Sequence, residues 1–279
     1  MTVIDSRLLK FTVPGGASYV RLKKAAREQR LSMICLEARC PNIGECSALG
    51  SAAFLIMGNV CTRVCGYCSV RHGIPSALDM DEPKRVAKAA VELKLPYIVI
   101  TSVTRDDIED GGASFFAKTV SEIHKAAPEC AVEALVPDFA GRLEGIDEIA
   151  AVRPQILNHN IEAAKTIYAA VRPQGNYSLS LDLLKRASEN GLAVKSGLML
   201  GFGESLDDVL FTFDDLLRSG CLYITIGQYF TSKAEGFPVK KYYHEDEFEE
   251  IRERAVAMGF AKVSAGINVR SSYHASGFL

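Results

Sequence analysis

Three cysteines fall within the eight residues "CTRVCGYC", Cys61 to Cys68, spaced Cys-x3-Cys-x2-Cys. A second set stands upstream in "CLEARCPNIGEC" as Cys-x4-Cys-x5-Cys, supplied by Cys35, Cys40 and Cys46. Clustering of this kind in a reducing compartment favours metal ligation over a disulfide framework. A structural zinc closes tetrahedrally on four Cys or His ligands, and two separate sets of three do not match that plan. One six-cysteine zinc or disulfide arrangement remains compatible with the spacing. A four-iron cluster held by only three thiolates keeps one iron open to another ligand, so the incomplete set is itself a place for chemistry. Beside the third cysteine, Gly66 allows tight loop packing and Tyr67 offers a ring or backbone contact to that ligand.

The other chemistry-bearing residues are less tightly grouped. Cys130 and Cys221 lie singly in apolar runs and read as small core hydrophobes. His159 and His274 lack the partner spacing of a metal site. Polar groups interrupt apolar runs at "TSVTRDD" (Thr101 to Asp107), Glu133, "NHN" (Asn158 to Asn160), Lys195 and Gln228, and a polar residue in a buried run is costly unless paired or used. Solvated loop tips are the plain alternative for any one of them. Glu133 and Lys195 could equally form a buried ion pair, and Arg105, Asp106 and Asp107 either an ion-paired loop or a gate.

The elements that must position these residues follow from periodicity. From about residue 82, amphipathic helical stretches alternate with short β-branched runs, the pattern of βα units around a parallel sheet. Helices are expected over "EPKRVAKAAVELKL", with Pro83 in the first turn, and from about Gly112 to Ala127. Strands are expected at Ala53 to Gly58, Tyr97 to Val103, Cys130 to Pro137, Gln155 to Ile161, Val194 to Gly201 and Leu222 to Phe230. The fold class is α/β: a partial TIM-type (β/α)6 barrel with N- and C-terminal extensions. In such a barrel the strands' C-terminal ends carry the chemistry, and the Cys61 to Cys68 loop directly follows the first strand.

At 279 residues the chain can bury one large core, and its net charge of −2 with intermixed signs gives no basic tail or polybasic patch. No nucleic-acid or membrane partner is expected. No stretch reaches the roughly 20 apolar residues of a spanning helix, and "MTVIDSRLLKFTVPGG" has no long apolar core before a cleavage site, so a cytoplasmic location is expected.

With its Cys-x3-Cys-x2-Cys loop after the first barrel strand and Tyr67 before the third cysteine, the chain resembles the radical S-adenosylmethionine enzymes. The resemblance narrows to the lipoyl synthases through "EARCPNIGEC" (Glu37 to Cys46), "TSVTRDDIEDGGA" (Thr101 to Ala113), "VEALVPDFAG" (Val132 to Gly141), "NHNIE" (Asn158 to Glu162), "VRPQGNY" (Val171 to Tyr177), "KSGLMLGFGE" (Lys195 to Glu204) and "VRSSYHA" (Val269 to Ala275). It spans nearly the whole chain. The upstream triplet combined with the C-terminal Arg-Ser-Ser-Tyr is its most specific part.

The resemblance implies two [4Fe–4S] clusters and S-adenosylmethionine. One cluster, on Cys61, Cys65 and Cys68, cleaves S-adenosylmethionine to a 5′-deoxyadenosyl radical. The auxiliary one, on Cys35, Cys40, Cys46 and Ser272, gives up sulfur, and a serine oxygen is a harder, less usual iron ligand than thiolate. The implied organisation is an extension over residues 1–50 with the auxiliary cysteines, a barrel over 51–267, and a tail over 268–279 that closes the auxiliary cluster. Tyr67 is expected at the cofactor as the loop aromatic before the third cysteine, and Thr101, Ser102, Glu133, Asn158 and Lys195 by strand position, Lys195 as a point charge for its carboxylate. Gly197 is expected where the backbone approaches the adenine. The implied reaction inserts two sulfur atoms at carbons 6 and 8 of an octanoyl group on a lipoyl carrier domain, either of a 2-oxoacid dehydrogenase or the glycine cleavage H protein. A ferredoxin or flavodoxin electron donor and an iron–sulfur carrier complete the implied partners.

The chain departs from the family pattern at Ser47, at Leu179 where an arginine is usual, and at Gly236 where a histidine is usual. Two other readings follow: a related radical enzyme inserting sulfur into a different acyl or peptidyl substrate, or a non-catalytic protein that stores or delivers iron and sulfur.

Overall fold

β-Branched and aromatic runs bounded by turn residues build the sheet. The computed structural model describes residues 15–38, 40, 42–231 and 236–279. In chain order the strands are β1 (Ser32–Met33), β2 (Ser51–Ile56), β3 (Val60–Cys61), β4 (Arg71–His72), β5 (Tyr97–Ser102), β6 (Ala131–Leu135), β7 (Ile156–Asn158), β8 (Val194–Leu200), β9 (Tyr223–Gln228) and β10 (Lys262–Gly266). Eight of them form one sheet in the order β1-β2-β5-β6-β7-β8-β9-β10. Every neighbouring pair from β2 to β10 is parallel and β1 is antiparallel to β2. The six expected strands are all present as β2 and β5 to β9. β10 adds a seventh parallel strand: "KVSAG" is only half-buried along its length, so it lacks the apolar run that marks a buried strand. β1 and β10 do not pair, and the barrel is open.

Helices alternate with the parallel strands, since parallel neighbours need a crossover connection. Among them are α1 (Ala17–Glu28), α2 (Ile34–Glu37), α3 (Ile43–Ala48), α4 (Glu82–Leu93), α5 (Ala113–Ala126), α6 (Glu144–Ala151), α7 (Tyr168–Val171), α8 (Tyr177–Glu189), α9 (Leu206–Arg218) and α10 (Glu245–Met258). Pro83 sits in the first turn of α4, where its missing N–H costs nothing. A reciprocal Ser205–Asp208 capping box starts α9, and Asn176 caps α8 through the Leu179 N–H at 3.1 Å.

The strands' alternation divides the molecule into two layers. Outward residues such as Ile98, Ile100, Val132, Ala134, Ile224 and Ile226 join the helices in the main core. Inward residues Ala53, Tyr97 and Val99 instead pack on Ala275 of the C-terminal tail. That tail ends in a single 3-10 turn, Ala275–Phe278, with Ala275 and Phe278 buried. An open barrel exposes its interior along one side, and here the chain's own end fills it.

Candidate active site

The Cys61–Cys68 loop is a compact structure held at both shoulders. β3 pairs with β4 across it, and Gly73 N–H closes on Cys61 O at 2.9 Å. At the far shoulder Gly66 donates to Val171 O at 3.1 Å and accepts from Phe237 N at 2.9 Å. Val64 N–H reaches Gln174 Oε1 at 2.7 Å. Cys61 Sγ accepts backbone N–H bonds from Arg63 at 3.4 Å and Thr104 at 3.3 Å. Arg63, between the first two cysteines, binds Asp106 with Nε at 2.7 Å and Nη2 at 2.8 Å, and Asp138 with Nη1 at 2.6 Å.

Cys61, Cys65 and Cys68 line a cavity of about 170 Å³ at the strands' C-terminal ends. Tyr67, Thr101 and Ser102 line it too, as do Arg63, His159, Asn160, Glu162 and Arg172. Two buried polar atoms here, Ser102 Oγ and Asn160 Oδ1, have no hydrogen-bond partner among the described residues. Orphaned acceptors in a cavity walled by three thiols fit a bound polar cofactor on a thiolate-held cluster.

Burial raises the Cys65 and Cys68 thiols, Cys68 to about 11, and pushes the Tyr67 phenol well above its usual value. The Glu162 carboxyl is also raised by burial, against the pull of Arg172 and hydrogen bonds from Asn160 and Tyr67. Glu162 sits in the left-handed region at φ 69°, bridged to β8 through Glu162 N–H to Gly197 O and Met199 N–H to Glu162 O, both 2.9 Å. Strained non-glycine backbone of this kind persists only where its surroundings over-determine it.

His159, at the foot of the cavity, is held neutral with its pKa lowered to about 4, chiefly by burial and then by Arg172. Nδ1 lies 2.8 Å from Val136 O and Nε2 3.0 Å from Ser180 Oγ. The carbonyl can only accept, so Nδ1 carries the proton and Ser180 donates to Nε2.

The upstream cysteines lie on and between two short helices, Cys35 in α2 and Cys46 in α3, with Cys40 N–H bonded to Cys35 O at 2.9 Å. Burial lifts all three thiols, Cys35 to about 12 and Cys46 to about 11; Cys35 is raised further by Cys40 and Cys46, which marks them as electrostatic neighbours. The tail comes to meet them. The His274 backbone lowers the Cys46 thiol and Arg270 lowers that of Cys40, each against burial. Ser272, half-buried, lies between these two tail residues in sequence. Ile34 packs with Cys35 on the Ala53, Tyr97 and Val99 cluster and also with Cys61 and Cys68 on the Leu55, Val70 and Val103 cluster, so it bridges the packing beside the two triplets. No three His, Cys, Asp or Glu side chains among the described residues converge on one point as a single metal ion requires. A cubane does not ask for that, because each thiolate binds a different iron.

Glu133, Asn158 and Lys195 are fully buried, with Asn158 and Lys195 each bonded to Glu133, and they and Gly197 are not among the residues that line the cavity. The ion-pair alternative describes Glu133 and Lys195. What approaches Gly197 is the Asn160 side chain and the Ser271 hydroxyl: a Cβ there would lie 2.5 Å from Asn160 Oδ1 and 3.0 Å from Ser271 Oγ. Arg105 is 3% exposed and bidentate to Asp107 at 2.9 and 2.8 Å, so that loop is ion-paired. Leu179 faces Gly141 at the start of α8, away from the cavity lining. The roles of Arg63, Glu162 and Arg172 were not anticipated; "NHNIE" and "VRPQGNY" contain two of them, but nothing in those motifs tells which side chain turns inward.

Comparison with known proteins agrees with this arrangement. The Radical SAM superfamily model matches residues 55–216. A lipoyl synthase from Rubrobacter xylanophilus is 46% identical over 269 residues, covering 96% of this chain and 84% of its own. One from Roseiflexus sp. is 45% identical, covering 96% and 89%. Among solved structures, methylornithine synthase superposes with a TM-score of 0.57 at 12% identity, covering 92% of this chain and 80% of its own. A maturase of the [FeFe]-hydrogenase superposes with a TM-score of 0.57 at 15% identity, covering 89% and 68%. These two show the fold alone.

Proposed function

Because this chain belongs to the lipoyl synthase family of radical SAM enzymes, we propose that its two cysteine triplets hold two clusters of different use. The chain is a radical SAM sulfurtransferase that works with S-adenosylmethionine and [4Fe–4S] clusters. On this reading Cys61, Cys65 and Cys68 hold the first cluster, and Cys35, Cys40, Cys46 and Ser272 hold the second. Bound there, these groups supply one-electron cleavage of S-adenosylmethionine at the first site and sulfur for an octanoyl chain at the second.

The protein's part is to bind and orient. Arg63, tied to Asp106 and Asp138, fixes the loop between Cys61 and Cys65 so that its thiols face one cavity. Ser102 Oγ and Asn160 Oδ1 offer unspent acceptors, and Glu162 and Arg172 offer opposite charges, which suits a ligand carrying both an amino and a carboxylate group. Tyr67 packs with Phe202 and Tyr229, closing one side against water. Thr101 and Ser102 reach the cavity because they end β5.

The observation that carries the reading is Ile34, which packs with Cys35 in one cluster and with Cys61 and Cys68 in the next, since a short-lived substrate radical must meet its sulfur source at once. The carrier is a lipoyl carrier domain of a 2-oxoacid dehydrogenase or of the glycine cleavage system. A ferredoxin or flavodoxin supplies electrons, and an iron–sulfur carrier rebuilds the second cluster. No described helix is long and apolar enough to cross a membrane, which accords with work in the cytoplasm.

The test is anaerobic reconstitution with a reductant, S-adenosylmethionine and an octanoylated carrier peptide. Formation of 5′-deoxyadenosine together with a peptide heavier by two sulfurs is expected. Deoxyadenosine without thiolated peptide points to a different acyl or peptidyl substrate.

A further inference from the structure

We propose that Lys195, anchored by Glu133, is a positioning residue that clamps the C-terminal tail and so presents Ser272 to the upstream cysteine triplet. This rests on the reading that the triplet and Ser272 hold a cluster.

Lys195 lies on the inner face of β8 and is 0% exposed. An ammonium has three donors and no acceptor, and burying it without partners is prohibitive. Its Nζ donates to the Glu133 carboxylate at 3.1 and 3.2 Å and to Ser271 O at 2.8 Å, and stands 4.2 Å above the Phe278 ring. Two of these partners are therefore tail residues. Glu133 cannot swing away, because Tyr97 OH donates to Oε2 at 2.6 Å and Asn158 Nδ2 to Oε1 at 2.7 Å.

The strands are hollowed to receive the tail. Gly197 leaves room for the Asn160 side chain, whose Nδ2 donates to Ser271 Oγ at 2.6 Å. At Gly227 a Cβ would come within 2.1 Å of Val269 O. On the other side the tail is tied to the helix carrying Cys46. Asn42 Nδ2 donates to Asn268 O at 2.6 Å, and Glu45 accepts from Tyr273 OH at 3.2 Å and His274 Nε2 at 2.9 Å. Ser272 is thus suspended between a residue bolted to the barrel and two residues bolted to the triplet's helix. A buried charge that must keep its acceptors gives the barrel end of that span its rigidity.

The test uses the full chain with Lys195→Met. In the metal-free protein, backbone amides of residues 268–279 should exchange with deuterium at least tenfold faster than in the parent, over and above any change in the rest of the sheet. After anaerobic reconstitution, iron should fall from about eight toward about four per chain, the spectroscopic signature of the serine-bound cluster should disappear, and cleavage of S-adenosylmethionine should persist. Loss of cleavage with normal tail protection would overturn the clamp and return Lys195 to the cofactor. Should Lys195→Met not fold, the double variant Glu133→Gln/Lys195→Met decides, since it removes the clamp without leaving a buried carboxylate unpaired. Parental exchange and iron content in that variant would overturn the proposal. Zinc, or about four irons, in the parent would instead sink the two-cluster reading, while the exchange comparison would still test the clamp.

Discussion

Asp138 accepts a 2.6 Å hydrogen bond from Arg63, and the two side chains are only 2% and 8% exposed. Burial raises Asp138, yet that bond and the charges of Arg63 and Arg172 nearby hold it below the ordinary carboxylate range. A loop of three cysteines has little core of its own, so its shape depends on this anchor.

Asp138→Asn is therefore predicted to destabilise the metal-free chain by about 3 kcal/mol, because half of a buried pair is left uncompensated. Urea unfolding measures the loss. The same variant should retain less iron on the first triplet, read as a fall in deoxyadenosine yield per chain. Parental stability would show that Asp106 alone suffices to hold Arg63.

The two triplets should separate by function. Cys35→Ala is expected to form 5′-deoxyadenosine but no thiolated peptide, whereas Cys65→Ala is expected to form neither. Chromatography of both products in single-turnover mixtures checks this, and thiolated peptide from Cys35→Ala would remove the upstream triplet from sulfur supply.

His159 sets an acid limit. Its folded pKa of about 4 lies below the unfolded value of 6.5, so between these pH values the unfolded chain binds a proton that the native chain does not. Stability is predicted to fall as pH drops through that window, with a slope of up to about 1.4 kcal/mol per pH unit from this group. Urea melts at pH 7, 6 and 5 measure it. His159→Gln should flatten the profile, and parallel profiles for the two proteins would contradict the assignment.

Glu162 is predicted to act through its charge. Glu162→Gln keeps the side chain's size and its left-handed backbone, so the fold should survive while deoxyadenosine formation drops by about 10²-fold, the scale of losing one well-placed polar contact in a water-poor site. A rise in KM for S-adenosylmethionine locates the loss in binding, and parental kinetics would exclude the carboxylate from the site.

Sheet strands and the cysteine spacing were legible because each is local. Apolar runs such as "YIVIT" announce β5, and the three thiols of one loop reach a common cavity whatever the rest of the chain does. Short, half-buried β10 left no such run. Which partner a polar side chain takes was the harder matter. Thr101 and Ser102 end β5 and line the cavity, while Lys195, in the same register row as Thr101 through Asn158 and Leu135, is held by Glu133 and Ser271 instead.

By itself, then, the amino-acid order determined the parallel α/β class, the two thiol sets and the motif-bearing tail. Only the tertiary structure decided that Glu133, Asn158 and Lys195 pair in the barrel's interior, and that Ser271 completes their network. Those partners come together across separations of 62 and 76 residues. Pairing at that range is chosen by how strands stack and how far each polar group is carried from water, and neither is written in any short stretch of sequence.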